Sequence, residues 1–332
     1  MLTYIVRRLL RLIPTLIVIS IMTFIIIQLP PGDFFDSLQA QLAESESRAD
    51  QQAFDALRKQ YHLDKPLWKQ YLFWIGGCVQ GDFGYSFEWR RPVADLIGER
   101  LGLTFVMSLG SLVFMWVVAI PIGIYSARNR LSWSDYSLTF VAFIGLCIPN
   151  FVIALIAMYA SVFWFGGSAG GLFSQEYKYA AWSLAKVWDL LGHLWVPVVV
   201  IGAAGTATMM RLMRTSMLDV LDRAYITTAR AKGLAERWVI YKYAVRVAIN
   251  PMISIMGMQI PQLVSGSIIV AIVLGLPTTG PLFYRALETQ DMYLAGTFLM
   301  LLAVLLLLGN LLADILLALV DPTAVLVECV DS

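Results

Sequence analysis

The feature that most constrains this chain is a recurring apolar run, each about twenty residues long and nearly free of charge. Such runs cover residues Leu12–Leu29, Leu103–Ser126, Leu138–Phe165, His193–Met210, Met252–Leu274 and Tyr293–Val320. A helix rises about 1.5 Å per residue, so each run can cross a hydrocarbon layer of about 30 Å. Within that layer every backbone polar group needs an internal partner, which favours helices. Composition agrees: 59% of the 332 residues are hydrophobic, 14% are charged and the mean hydropathy is +0.72. Soluble domains carry about half apolar residues. The expected fold is an all-α polytopic membrane protein with six transmembrane helices.

The first run follows Arg7, Arg8 and Arg11, an arrangement open to reading as a signal peptide or as a retained first helix. It is longer than a signal core and is followed by Pro30-Pro31-Gly32-Asp33 rather than a small-residue cleavage site, which favours the retained helix. Residues 31–100 are polar and mixed in charge, and form a small extracytoplasmic subdomain after that helix. Within them, Gln39–Tyr61 has helical spacing. The stretch Trp68–Val79 is too short and is broken by Gly76-Gly77, so it does not cross a bilayer, and its Trp68, Tyr71 and Trp74 suit an interface. The divisions are therefore residues 1–30, 31–100, a five-helix core at 101–322 with a long internal loop at 211–250, and a tail at 323–332.

Lys and Arg counts orient the chain. The loops assigned to the cytoplasm hold thirteen, against three (Lys178, Lys186, Arg285) in the short outer loops. Long loops such as 31–100 cross largely regardless of charge. Both termini are expected inside. The net charge of +1 gives no reason to expect a nucleic-acid partner.

Chemistry is sparse. Cys78, Cys147 and Cys329 are too scattered for a zinc motif or a disulfide framework, and two histidines cannot make a histidine metal cage. No phosphate-cradling lysine loop occurs; the cluster GGSAGG (166–171) lacks the lysine. Nor is there a catalytic pair or nucleophile motif, so the chain is not expected to be an enzyme or to carry its own cofactor. Asp314 is the one ionisable residue deep in a span. Packing against the basic loop or a neighbouring helix and contact with substrate both remain open for it. The prolines and glycines within the spans mark kinks and close packing. The fourth and fifth spans are densest in small residues, and Met209, Met210, Met252, Met256 and Met258 could line a cavity or simply pack.

The long cationic stretch Arg211–Pro251 is the most informative. Its centre, Thr227–Leu234, reads as the end of one short helix, a glycine break and the start of another. Gly233 fits a left-handed closing residue, and Glu236 falls in the first turn of the next helix, where an anion is favoured. Small residues at the corner (Ala229, Ala231, Gly233) allow close approach of a partner. The alternative is a plain basic loop held by anionic membrane lipid.

The segment YITTARAKGL (225–234) resembles the coupling loop of permease subunits in ABC importers of the dipeptide/oligopeptide/nickel class. LPPGD (29–33), LDKPLWKQY (63–71), GDFGYSF (81–87), RPVADLI (91–97), IPIGI (120–124), CIPNF (147–151) and the Asp321-Pro322 pair follow the same pattern in order. The resemblance implies a prokaryotic inner-membrane location and a second homologous permease partner. It also implies two ATP-binding-cassette ATPases that hold the ATP and magnesium, and an extracytoplasmic solute-binding protein. Tyr225, Thr228, Ala229, Arg230, Ala231, Lys232, Gly233 and Leu234 would form the ATPase-coupling loop. Tyr243, Ala271, Pro277-Thr278-Thr279-Gly280 and Thr323 depart from the common pattern, leaving peptides, oligosaccharides or glycosides, and nickel open as cargo. A stand-alone secondary transporter is the rival reading. It would bring inverted repeats and several intramembrane charges, and neither is found.

Overall fold

The computed structural model describes residues 2–29, 65–86, 88–165 and 170–320. The expected helix in 39–61, His62, Cys329 and the Asp321-Pro322 pair lie outside these. Among the described residues the chain is almost wholly helical. Five helices are long and apolar enough to cross a membrane, and a bent pair is either a sixth, broken span or a re-entrant loop. Contacts divide it into two compact units, one of residues up to Thr104 with Thr278–Val304, the other of Phe105–Pro277 with the residues from Leu305 onward.

The first unit holds α1 (Leu2–Gln28), α2 (Leu67–Gln80) and a two-residue antiparallel ribbon, β1 (Tyr85–Ser86) and β2 (Arg91–Pro92). It also holds the start of α3 (Val93–Arg128), α12 (Thr279–Glu288) and the start of α13 (Met292–Val320). The 14 residues of α2 span about 21 Å at 1.5 Å each, too short to cross. Gly76 and Gly77 do not break that helix, contrary to expectation; it ends at Gly81, which is left-handed at φ 83°. Phe24 of α1 meets Tyr71 and Trp74 of α2, and Ser20 shares a 2.8 Å hydrogen bond with the Tyr71 hydroxyl. The aromatic face assigned to an interface therefore packs partly against the first span. Val93, Leu96, Leu282, Ala286 and Leu294 form this unit's core.

The second unit is built on α6 (Leu184–Leu221), a helix of 38 residues, far longer than the expected fourth span. Its surplus carries it through Arg211 and Arg214, so the first turns of the presumed loop are continuous helix. The expected third span is not one helix. It is α4 (Trp133–Cys147) and α5 (Asn150–Phe165), bent by 96° at Ile148-Pro149. Proline bars the helical region to the residue before it, and Ile148 sits at φ −87°, ψ 120°. The Pro149 carbonyl accepts from Val152 and Ile153, starting the next helix at once. The fifth span runs as α10 (Asn250–Gly266) and α11 (Ile268–Val273).

Methionine dominates this second core: Met115, Met209, Met210, Met213, Met217, Met252 and Met256 are all buried in it. Their unbranched side chains fill irregular gaps between helices. Met258 is exposed instead.

Candidate functional site

The basic bend is built from α7 (Ala224–Ala231), α8 (Glu236–Trp238), a π-helical stretch Val239–Ala244 and α9 (Val245–Ala248). Its anchor is hydrophobic. Ile226 and Ala229, one turn apart on α7, are buried beside Val239, Ile240 and Ala244 from the π stretch and Met213 and Met217 from α6. The small Ala229 is thus not on a free face, contrary to the expectation that it would meet a partner.

The bend closes by a defined hydrogen-bond pattern. The Gly233 N–H donates to the Arg230 carbonyl at 2.9 Å, and the Leu234 N–H to the Ala229 carbonyl at 3.4 Å. Crossed bonds of this kind satisfy the last carbonyls of a helix and require a left-handed residue after its cap. Gly233 supplies it at φ 75°. Ala235 then opens α8, and its carbonyl takes the Trp238 N–H at 2.8 Å.

Arg230 straps the two helices together. Its Nη2 lies 2.8 Å from Glu236 Oε1 and its Nε 3.3 Å from Oε2. Those bonds hold the Glu236 carboxyl below the usual range and raise the arginine. Arg230 thus braces the bend while remaining exposed. Tyr225, Thr228, Ala231, Lys232, Gly233 and Leu234 are all exposed. Thr228 returns its hydroxyl to the Ala224 carbonyl at 2.9 Å, and partial burial raises the Tyr225 phenol. Among the described residues Lys232 has no ion pair. The exposed surface is thus small, polar at one end and apolar at Leu234, on a rigid footing. Arg246 donates to the Val320 carbonyl at 3.3 Å, placing a cation at the end of α13 where the helix dipole favours it. Asp314 is half-buried on that helix.

Two features escaped sequence reasoning. Arg214 was grouped with the loop cations, yet it grips buried Asp135 of α4, with Nη2 2.8 Å from Oδ2 and Nε 2.9 Å from Oδ1. Ser126 and the Leu131 N–H complete the carboxylate's partners. The signal was present: Ser132 caps α4 by accepting from the Asp135 N–H, an S-x-x-D start before an apolar run. The second is a cavity of about 300 Å³ lined by Asn150, Thr208, Met209, Gln259 and Gln262, among others. Gln259 is 7% exposed and bridges Trp116 Nε1 (3.2 Å) and the Met209 sulfur (3.1 Å). These amides are spread over α5 and α10, too far apart in sequence to read as one group.

Residues 119–325 match the family described as binding-protein-dependent transport system inner membrane component, and residues 1–108 match its N-terminal companion. The chain belongs to this family. It is a permease component of a binding-protein-dependent ABC importer and a multi-pass membrane protein. The oligopeptide transport system permease AppB of Bacillus subtilis is 37% identical over 97% of this chain and 99% of its own length. The glutathione transport system permease GsiC of Escherichia coli K12 is 34% identical over 97% and 98% respectively. A solved structure of the MetNI methionine ABC transporter shares the fold, with a TM-score of 0.52 at 16% identity, over 68% of this chain and 96% of that one. The family match replaces the stand-alone transporter reading.

Proposed function

We propose that the chain is a peptide-class permease that turns ATP hydrolysis on separate subunits into alternating access across a prokaryotic inner membrane. The observation that carries this is the bend at Gly233: exposed Tyr225, Thr228, Lys232 and Leu234 stand on and just after a helix whose inner face, Ile226 and Ala229, is locked into the methionine-rich core of the second unit. A force on the exposed face is passed to α6 through packed side chains, because the interior is dense and yields little. In this reading the bend seats an ATPase on the cytoplasmic side, and two such ATPases hold the nucleotide and magnesium. A second homologous permease closes the path, and an extracytoplasmic binding protein delivers the solute. Both termini lie inside, as the lysine and arginine distribution requires.

The peptide assignment is supported by the named relatives and by the cavity. Its amides and hydroxyl, with no charged side chain, suit hydrogen bonding to backbone amides without selecting on side-chain charge. The test uses Gly233. A Cβ at Gly233 would meet no atom within 4 Å beyond the adjoining residues, so any penalty comes from the left-handed backbone. Gly233→Val should keep the permease in the membrane but cut ATPase co-purification and peptide uptake at least tenfold. Gly233→Asn, which tolerates the same backbone, should retain both. Full association and uptake in the valine variant would remove the bend from the mechanism.

A further inference from the structure

A second cavity, of about 310 Å³, lies between α4 and α6, with Thr139, Phe143, Met210, Arg211, Arg214 and Thr215 in its lining. That is the lower end of the size of small-molecule sites. Arg214 is neutralised by Asp135, but Arg211, one turn before it, has no carboxylate partner among the described residues. Its guanidinium rests 4.7 Å from the centre of the Phe143 ring. Arg211 is exposed at the end of the expected fourth span, where the cation–π contact holds it at the cavity and an anion at the membrane surface is the partner its charge favours. With Arg211, Arg214 and Asp135 the site carries one net positive charge. The Thr139 and Thr215 hydroxyls supply further donors beside it.

The surroundings decide which anion. Phe140, Val141 and Ile144 on α4 are 66%, 64% and 43% exposed. Phe140 and Ile144 each follow a cavity-lining residue, Thr139 and Phe143, and leave an exposed apolar face beside the cavity that a free anion would not use and that an acyl chain would cover. We infer that this cleft binds the phosphodiester headgroup of a singly charged anionic phospholipid, Arg211 pairing with the phosphate and the α4 flank holding the acyl chain. In the orientation proposed above the lipid belongs to the cytoplasmic leaflet. Basic pockets between membrane helices on that side are suited to acidic headgroups.

The test uses the assembled importer, delipidated in detergent and titrated with phosphatidylglycerol, with phosphatidylcholine as the neutral control. Native mass spectrometry should show a discrete phosphatidylglycerol adduct that phosphatidylcholine does not form. Arg211→Gln should weaken it about fivefold, the effect of removing one basic residue from a membrane surface, and Arg211→Lys should keep most of it. Thr215→Val, which preserves the charges, should give a smaller loss and serves if Arg211→Gln does not assemble. Millimolar inorganic phosphate should fail to displace the lipid. Equal retention of the two lipids, an unchanged adduct in Arg211→Gln or in Thr215→Val, or displacement by phosphate would each overturn the lipid site. Transport through the Gly233 bend is read separately, so neither result stands in for the other.

Discussion

Single residues in this chain carry charges into places that must neutralise them. Asp291 is fully buried at the start of α13, accepting from the Ser86 hydroxyl at 2.5 Å and from the Leu294 N–H at 3.3 Å. Burial raises its carboxyl, and those two donors pull the other way without cancelling it. A raised folded value means the fold favours the protonated form. Its contribution is complete below the unfolded value of about 3.9 and is lost as pH rises through the folded one. Asp291→Asn keeps the shape and the cap while removing the titration. It should flatten the fall in thermal unfolding temperature between pH 4 and pH 7 in detergent; an unchanged slope would assign that fall to other groups. Asp135 is a buried carboxylate whose role is to hold Arg214. Asp135→Ala should cost about 3 kcal/mol, the low end for breaking a buried pair, because Arg214 stays 26% exposed. A loss below 1 kcal/mol by chemical unfolding would show that water already satisfies the arginine.

Among the elements, legibility followed the kind of information each needed. Span existence was plain from hydropathy, and the Gly233 bend from one glycine after a run of helix formers. The break at Ile148-Pro149 was not. Pro121, Pro197 and Pro261 all lie inside continuous helices, so a proline by itself did not decide where a span would fold back. The closing surfaces were equally hidden. Many glycines punctuate the spans, but only the fold tells which are pressed. A Cβ on Gly257 of α10 would lie 2.5 Å from the Asn310 Cα of α13, and one on Gly309 would lie 2.7 Å from the Gly257 carbonyl. Gly145 of α4 has nothing within 4 Å. Gly257→Ala should therefore destabilise by about 1–3 kcal/mol through overpacking. Gly145→Ala should be neutral or stabilise by up to about 1 kcal/mol through helix propensity. Paired unfolding curves decide it, and equal effects at both positions would mean that α10 and α13 do not touch closely in the membrane.

At the scale of the whole molecule, what could be read early was chemistry spread along the chain, and what could not was chemistry assembled across it. The ordered run of short motifs was enough to place the family, because each motif is local. The amide-lined cavity was not, since Asn150, Thr208 and Gln259 meet only after three helices pack. Orientation belongs to the first kind, resting on where thirteen cations lie among short loops, and it can be tested directly. In a background with Cys78, Cys147 and Cys329 replaced by serine, single cysteines at Lys178 and Lys232 should report from opposite sides. Lys178 lies between α5 and α6, ahead of one crossing, and Lys232 follows it at the Gly233 bend. A membrane-impermeant maleimide should label the Lys178→Cys chain in right-side-out vesicles, and the Lys232→Cys chain only after permeabilisation. Labelling of Lys232→Cys in sealed vesicles would put the bend outside, where no ATPase could reach it, and the proposed coupling would fail with the topology.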